Sequence, residues 1–220
     1  MTTDLIAADI QQAYFEHRTS FKTPIAPLFY GGRQGEVISV VHKALTPWGV
    51  GLENIFWNQA AKNLGEVQLT FGVPLLLASI QLSLSGMTMN ALNPDWSRAS
   101  QFISLFKAGV EAVTVGLGQE LQSQQTTLGF HVKPAATPFR AILKQFVNAP
   151  LLDSENAEMF GVSVYHRDFT YVIDKSVTVP EGVFIRLIRV FSPSTAFEEM
   201  AAAIYKDEET LLRRLGFKLQ

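Results

Sequence analysis

The sequence predicts an α+β fold, with a mostly antiparallel sheet and long helices packed on one face of that sheet. Two observations lead to this prediction. Apolar and polar residues alternate within 66–90 and again within 160–191, which is typical of half-buried strands. Each of these blocks is followed by a segment with apolar residues every three or four positions, at 96–121 and 195–215, as in amphipathic helices. Strands followed by a helix, twice along the chain, favour α+β over an alternating α/β arrangement.

The composition is that of a compact globular chain. Of the 220 residues, 47% are hydrophobic and 17% are charged. A chain of this length can bury a core that needs neither a metal nor a disulfide. We therefore expect a single compact domain over 1–220, and the repeated pattern suggests two related halves at about 66–135 and 151–220.

Charge and cysteine content exclude several classes of function. The net charge is −2, and no long basic run occurs, so we expect no nucleic-acid partner. The absence of cysteine excludes disulfides, thiolate catalysis and cysteine-ligated metals. The first 20 residues lack the pattern of a signal peptide, which favours a cytoplasmic location. Residues 67–94 carry no charge, but Gly72, Pro74 and a strand-like alternation argue against a membrane span, so no membrane partner is expected.

The N-terminal third is the least informative part of the sequence. Residues 4–18 predict a short amphipathic helix, because Ile6, Ile10 and Phe15 would share one side of it. Proline and glycine punctuate 23–35 and predict a loop there. Apolar residues within 37–45 are compatible with either a short helix or a buried strand.

The clearest local prediction is a β-hairpin over 75–90. Its turn is placed at Ser85-Gly86, because the apolar residues on either side then fall together on one face. The predicted cross-strand pairs are Leu84 with Met87 and Leu82 with Met89. After the hairpin, Asn93-Pro94-Asp95 has the residue types of a helix start, with Asn93 as the cap. A strand at 126–133 is expected to return along that helix.

The C-terminal half predicts a further helix from 137, a loop or internal boundary at 151–158, and then a second β block. Strands are expected at 160–165, 169–173, 177–179 and 183–191. The last of these is apolar on both faces except for Arg186 and Arg189, which is typical of a central strand. The final helix is expected to end at Gly216.

Three runs within residues 66–135 resemble a known family. They are 80–86, Asn93-Pro94-Asp95-Trp96 and 127–132. Their order, a hairpin, a helix with an aromatic residue near its start and a returning Leu-Gly strand, resembles a sporadically distributed bacterial family of uncharacterised α+β proteins over about 66–135. The family's returning strand usually contains Arg-Tyr-Ile-Asn, where this chain has Phe-His-Val-Lys at 130–133. The resemblance implies the fold and no particular activity.

Short motifs that suggest nucleotide chemistry fail in context. Glycines at 31–35 are followed by Glu36 rather than by the Lys-Ser/Thr of a phosphate loop. Gly116-Leu117-Gly118 ends a predicted helix, whereas a dinucleotide fingerprint begins one. His166-Arg167-Asp168 matches the start of a kinase catalytic loop, but the other kinase motifs are absent.

The remaining catalytic candidates are histidines and one aspartate. His166 and Asp168 lie two residues apart and could share a hydrogen bond that orients the imidazole for acid–base work, and His131 is an alternative base. A metal site would require His131 and His166 to converge with Asp168, Asp174 or Glu181. No histidine pair has helical ligand spacing, so we expect no metal and no cofactor.

The apolar residues leave three hypotheses about function open. The first is a non-enzymatic binding or self-assembling protein, expected to be a homo-oligomer formed through an apolar face. The second is a domain that holds a small apolar ligand between sheet and helix. The third is an enzyme that uses His131 or His166 with Asp168. The ligand hypothesis places a cavity among Leu82, Leu84, Phe102 and Phe106, while Trp48, Phe56, Trp57, Met87 and Met89 could complete the core, line a cavity or form a partner face.

Overall fold

The computed structural model describes residues 6–28, 32–58, 66–135, 139–143 and 161–219. Within these ranges the chain is an α+β protein, as predicted, with ten strands and four α-helices. In chain order the elements are β1 (Ile6–Phe21), α1 (Gln34–Leu45), β2 (Ile55–Trp57), β3 (Gln68–Val73), β4 (Ala78–Ser83), β5 (Gly86–Leu92), α2 (Ala99–Thr114), β6 (Leu121–Pro134), α3 (Phe139–Leu143), β7 (Gly161–Tyr165), β8 (Phe169–Lys175), β9 (Val183–Phe191), α4 (Phe197–Arg214) and β10 (Phe217–Leu219).

The chain divides into two compact units that interleave along the sequence. The unit that we call the hairpin unit comprises Phe15–Thr126 and Val190–Ala201. The unit that we call the β7 unit comprises Met1–Tyr14, Thr127–Arg189 and Ala202–Gln220. Strands β1, β6 and β9 and the helix α4 contribute residues to both units.

In the hairpin unit the strands follow the order β2-β3-β4-β5-β1. The adjacent pairs β2–β3, β3–β4 and β4–β5 are antiparallel. Along β3, β4 and β5 every second residue is buried, so one face of this sheet is apolar. That face and the buried stripes of α1 and α2 belong to one hydrophobic core, whose fully buried members include Val41, Leu69, Phe71, Ile80 and Leu105.

The predicted hairpin is confirmed, but its register is shifted by two residues. Leu82 lies opposite Met87 and Ile80 opposite Met89, so the connection is longer than a two-residue turn. The longer turn is held by backbone bonds from outside the hairpin, because Ile25 N–H donates to the Leu84 carbonyl and Phe21 N–H to that of Ser85. These bonds remove Leu84 from the ladder and leave the apolar residues on the predicted face.

The helix start after the hairpin is confirmed, and Asp95 caps the short 3-10 turn that precedes the helix. Asp95 Oδ1 accepts hydrogen bonds from the backbone N–H of Ser97 at 3.0 Å and from its hydroxyl at 2.6 Å. Asn93 instead has a φ of 46°, in the left-handed region. The chain therefore turns at Asn93 and enters α2 through a short 3-10 turn at Trp96–Arg98.

In the β7 unit the strands follow the order β1-β6-β9-β8-β7, with β10 parallel to β1. Strands β7, β8 and β9 are antiparallel. One face of this sheet is buried and includes Tyr171, Ile173, Ile185 and Leu187. Leu211 of α4 is buried as well, as is Leu215 in the turn that follows the helix. Gly216 ends the helix with a φ of 71°, as predicted.

The predicted helix at 4–18 is wrong, since residues 6–18 belong to β1. The alternation of buried His17, Thr19 and Phe21 with half-buried or exposed neighbours has the two-residue period of a strand. Pairing with adjacent strands satisfies the backbone of this segment and outweighs the weak helical spacing of Ile6, Ile10 and Phe15.

The predicted strand at 177–179 is also wrong. The Ser176 hydroxyl accepts hydrogen bonds from the backbone N–H of Thr178 at 3.3 Å and of Val179 at 2.8 Å. These local bonds compete with a ladder and bend the chain. Val177 is consequently 93% exposed.

The segment at 37–45, for which two structures were open, is the helix α1. The predicted boundary at 151–158 lies outside the described residues. In the part of the chain that the structure describes, no helix is long and apolar enough to cross a membrane.

Candidate functional site

The His166-Arg167-Asp168 motif forms the turn between β7 and β8. The backbone N–H of His166 donates to the Phe169 carbonyl at 2.8 Å and closes the turn. The exposed His166 ring packs on Phe169, with centroids 4.1 Å apart, and contacts the edge of Tyr171 at 6.0 Å. Among the described residues, no hydrogen bond or ion pair joins His166 to Asp168. The side-chain contacts that orient the His166 imidazole are therefore those with the rings of Phe169 and Tyr171.

Arg189 is the cation next to this turn. Its guanidinium donates to both carboxylate oxygens of Asp207, with Nη2 and Oδ1 2.6 Å apart. Its Cζ also lies 5.2 Å from the centroid of the Phe169 ring, a cation–π contact. The hydrogen bonds to Asp207 are the main cause that raises the pKa of Arg189, and the charge of Asp168 adds to it. Asp168 therefore acts on Arg189 through its charge.

His131 lies on β6 in a different environment. Its Nδ1 is 2.9 Å from the Ser176 hydroxyl, and its ring packs on Phe184 with centroids 4.8 Å apart. Burial lowers the pKa of His131. Within the described ranges, no group of three His, Asp or Glu side chains is placed to hold a metal ion. His131 and His166 thus occupy separate aromatic surroundings.

The four residues predicted to line a ligand cavity all lie in the core of the hairpin unit. Leu82 is 0% exposed and Leu84 8%, on the hairpin, while Phe102 and Phe106 on α2 are 4% and 5% exposed. They belong to one hydrophobic cluster. Their contacts therefore assign these four residues to the core of the hairpin unit.

The apolar residues of uncertain burial divide into two groups. Met87 and Met89 are core residues, and Trp48 and Trp57 are partly buried against the core. Phe56 in β2 is 59% exposed. Of the residues singled out in the sequence, Phe56 therefore remains available for a surface role.

An exposed, uncharged strand lies at the end of the sheet of the β7 unit. Strand β7 pairs with β8 and is the last strand in the order of this unit, among the residues that the structure describes. Its side chains are half-exposed or exposed throughout, with Val164 36% and Tyr165 77% exposed. The sequence of β7, Gly-Val-Ser-Val-Tyr, contains neither a charge nor a proline. We take β7 and the turn after it as the candidate functional site.

A buried histidine in the hairpin unit was missed by the sequence analysis. His17 is 3% exposed, its Nδ1 lies 3.2 Å from the Thr126 hydroxyl, and its ring packs between Phe106 and Phe197. Burial lowers the pKa of His17 to about 4. The signal that could have revealed it is the alternation along β1, which the predicted helix obscured.

Comparisons with known proteins do not assign a family. No protein-family model matches the sequence, and no match was found among the curated proteins. A solved structure of TBP from Methanococcus jannaschii is similar with a TM-score of 0.32 and 12% sequence identity, over 95% of this chain and 98% of that chain. At this TM-score the likeness supports no argument about function.

Proposed function

We propose that the protein is a non-enzymatic binding protein of the cytoplasm that self-associates into a homo-oligomer through the outer edge of β7. The observation that supports this proposal most directly is the exposed, uncharged edge strand. An edge strand presents unpaired backbone N–H and C=O groups, which can pair with a strand of another chain. Soluble proteins usually protect such an edge with charged residues, proline or a bulge. Strand β7 has five residues, and none of them is charged or a proline.

The other end strand, β2, is a weaker candidate. It has only three residues, and Glu53 lies two residues before its start. Short edge strands and nearby charges discourage pairing between chains. Although Phe56 is exposed, β2 offers little backbone to a second copy. This contrast favours β7 as the self-association edge.

The side chains of β7 suit antiparallel pairing with a second copy. Val162 and Val164 lie opposite Ile173 and Tyr171 of β8, so they extend the apolar face of the sheet. In a two-fold arrangement centred on Ser163, Val162 would lie opposite Val164 of the second copy, and Gly161 opposite Tyr165. Pairs of β-branched residues, and an aromatic residue across from glycine, both stabilise adjacent strands.

A pair of lysine variants tests the proposal. In Val164→Lys the new charge lies at the edge where two copies would meet, so we expect a monomer at concentrations where the wild type is a dimer. Val177→Lys is the matched control, because Val177 is 93% exposed in the bend after β8. We expect this control to dimerise like the wild type in sedimentation velocity. Equal dimerisation of Val164→Lys and the control would contradict the role of β7.

We also propose that the chain is a relative of the bacterial family that it resembles over about residues 66–135. The support is the order of elements, since β4, β5, α2 and β6 follow one another as hairpin, helix and returning strand. The departure at 130–133 falls within β6. A profile built from sequences of that family, aligned to this chain, would test the relationship, and failure to align the β6 segment would count against it.

A further inference from the structure

The sheet of the β7 unit has a second face, opposite the one that α4 covers. Arg189 contacts Asp207 of α4, and alternation along β9 places Leu187 and Ile185 on that same covered face. Phe184 and Arg186 therefore project from the opposite face. Both are half-exposed, in contrast to the buried Ile185 and Leu187.

Three aromatic rings form a row on this second face. Tyr14 of β1 and Phe184 of β9 are stacked, with centroids 6.2 Å apart and planes inclined by 16°. The His131 ring of β6 lies 4.8 Å from Phe184, inclined by 31°. Tyr14 and Phe184 are thus stacked, and His131 is tilted against Phe184. A further flat ring can pack on the exposed part of such an aromatic row.

A glycine in β6 makes room for this row. A Cβ atom added at Gly129 would overlap the Tyr14 ring. The ring therefore lies across the backbone of β6 at the position where another residue would place a side chain. Glycine is the residue that allows such close approach to a strand. The Leu-Gly pair noted in the sequence thus has a structural role on the second face.

Arg186 supplies an unpaired cation beside the row. Its Nε is buried and has no hydrogen-bond partner, and within the described ranges no acidic side chain forms an ion pair with it. Its cross-strand neighbour is the uncharged Val172. The guanidinium of Arg189, three residues further along β9, is occupied by Asp207, whereas the half-exposed Arg186 has no acidic partner among the described residues.

Two of the charged residues on the strands around the row are Lys133 and Asp174. Lys133 is exposed and shares the face of His131 by alternation along β6. Asp174 lies opposite Phe184, and its Oδ1 accepts the backbone N–H of Lys175 at 2.7 Å. Asp174 therefore places a negative charge at the β8 side of this face. A bound anion would be repelled by Asp174 and attracted to Arg186.

We propose that this face binds a small planar aromatic carboxylate, with its ring stacked on the Tyr14–Phe184–His131 row and its carboxylate held by the guanidinium of Arg186. Arginine binds a carboxylate through two parallel N–H bonds, which fixes orientation as well as charge. An uncharged ring would lack this contact, and an acid without an aromatic ring would lack the stacking. The site uses residues outside β7 and goes beyond self-association.

Isothermal titration calorimetry with three probes tests the proposal. We expect 1-naphthoate to bind, and cyclohexanecarboxylate and 1-naphthalenemethanol to bind at least about tenfold more weakly, since each lacks one contact. Arg186→Gln should lose at least about tenfold in naphthoate affinity. Arg167→Gln, which removes an exposed arginine of the β7–β8 turn, should retain it.

Two further variants distinguish binding by the guanidinium from binding by charge alone and from an effect of dimerisation. Arg186→Lys keeps the charge but loses the paired N–H donors, so we expect it to bind naphthoate more weakly than the wild type while it unfolds at a similar temperature. The Val164→Lys chain should bind naphthoate like the wild type, whether or not the wild type dimerises. No binding of naphthoate at millimolar concentration, or equal binding by Arg186→Gln, would overturn the proposal.

Discussion

The guanidinium of Arg189 in β9 forms a two-pronged ion pair with the carboxylate of Asp207 in α4. The Arg189 side chain is 21% exposed and that of Asp207 12%. Asp207 occupies a position on α4 four residues before the buried Leu211, where an apolar residue would be expected. An acidic residue in this stripe is tolerated because β9 supplies its partner.

Removal of one partner of this pair should destabilise the protein more than removal of both. Asp207→Leu leaves the arginine without its acid, and we expect a loss of about 3 kcal/mol in the free energy of unfolding. The double variant Arg189→Met, Asp207→Leu replaces the pair by apolar side chains and should recover most of that loss. Urea denaturation of Asp207→Leu, Arg189→Met and the double variant measures the coupling. Additive losses would show that the two side chains do not stabilise each other.

His17 should make the stability depend on pH. Its folded-state pKa is about 4, below the 6.5 of an unfolded histidine, so below pH 6.5 the unfolded chain takes up a proton that the folded chain does not. Stability is therefore complete above pH 6.5 and falls as the pH drops towards 4, by about 3 kcal/mol from this group. Chemical denaturation at a series of pH values between 4 and 7 measures the loss.

Two glutamine variants isolate the contribution of His17. His17→Gln should show a smaller fall in stability between pH 6.5 and 4 than the wild type. His42→Gln keeps His17 and should retain the full fall; His42 lies in α1, where its Nε2 is 3.1 Å from the Val50 carbonyl oxygen. Identical pH profiles for the wild type and His17→Gln would show that His17 is not the titrating group.

Gly86 and Gly72 form a matched pair of glycines in the hairpin unit. A Cβ at Gly86 would overlap the Thr19 carbonyl oxygen of β1, which is backbone and cannot rotate away. At Gly72 the nearest atom to a Cβ would be the Asn54 carbonyl oxygen, at an ordinary 3.6 Å. We expect Gly86→Ala to lower the free energy of unfolding by about 1–3 kcal/mol, and Gly72→Ala to change it by less than about 1 kcal/mol. A thermal melt of both variants makes the comparison, and equal effects would contradict the close approach of β5 to β1.

The fold could be predicted from the sequence where local pattern and tertiary context agree. The α+β class, the hairpin, α2 and the strands β8 and β9 follow from alternation, helical spacing and turn residues. The hairpin register could not be derived, because the bonds that lengthen its turn come from Phe21 and Ile25, distant in sequence. β1 was mistaken for a helix for a similar reason, since a strand is stabilised by neighbours that the local pattern does not show.

The candidate site was only partly visible in the sequence. Arg186 and Arg189 could be recognised as the polar exceptions in β9, but which of them is paired depends on the position of α4. His166 and Asp168 could be named, while the contact of the His166 ring with Phe169 depends on the turn geometry. The edge position of β7 depends on strand order, which short-range patterns do not determine.

Native mass spectrometry of the purified protein over a range of concentrations tests the central claim most directly. The proposed self-association through β7 predicts a species of twice the 24.4 kDa chain mass that grows with concentration and is lost in Val164→Lys. A wild-type protein that stays at the mass of one chain at the highest concentration would contradict it.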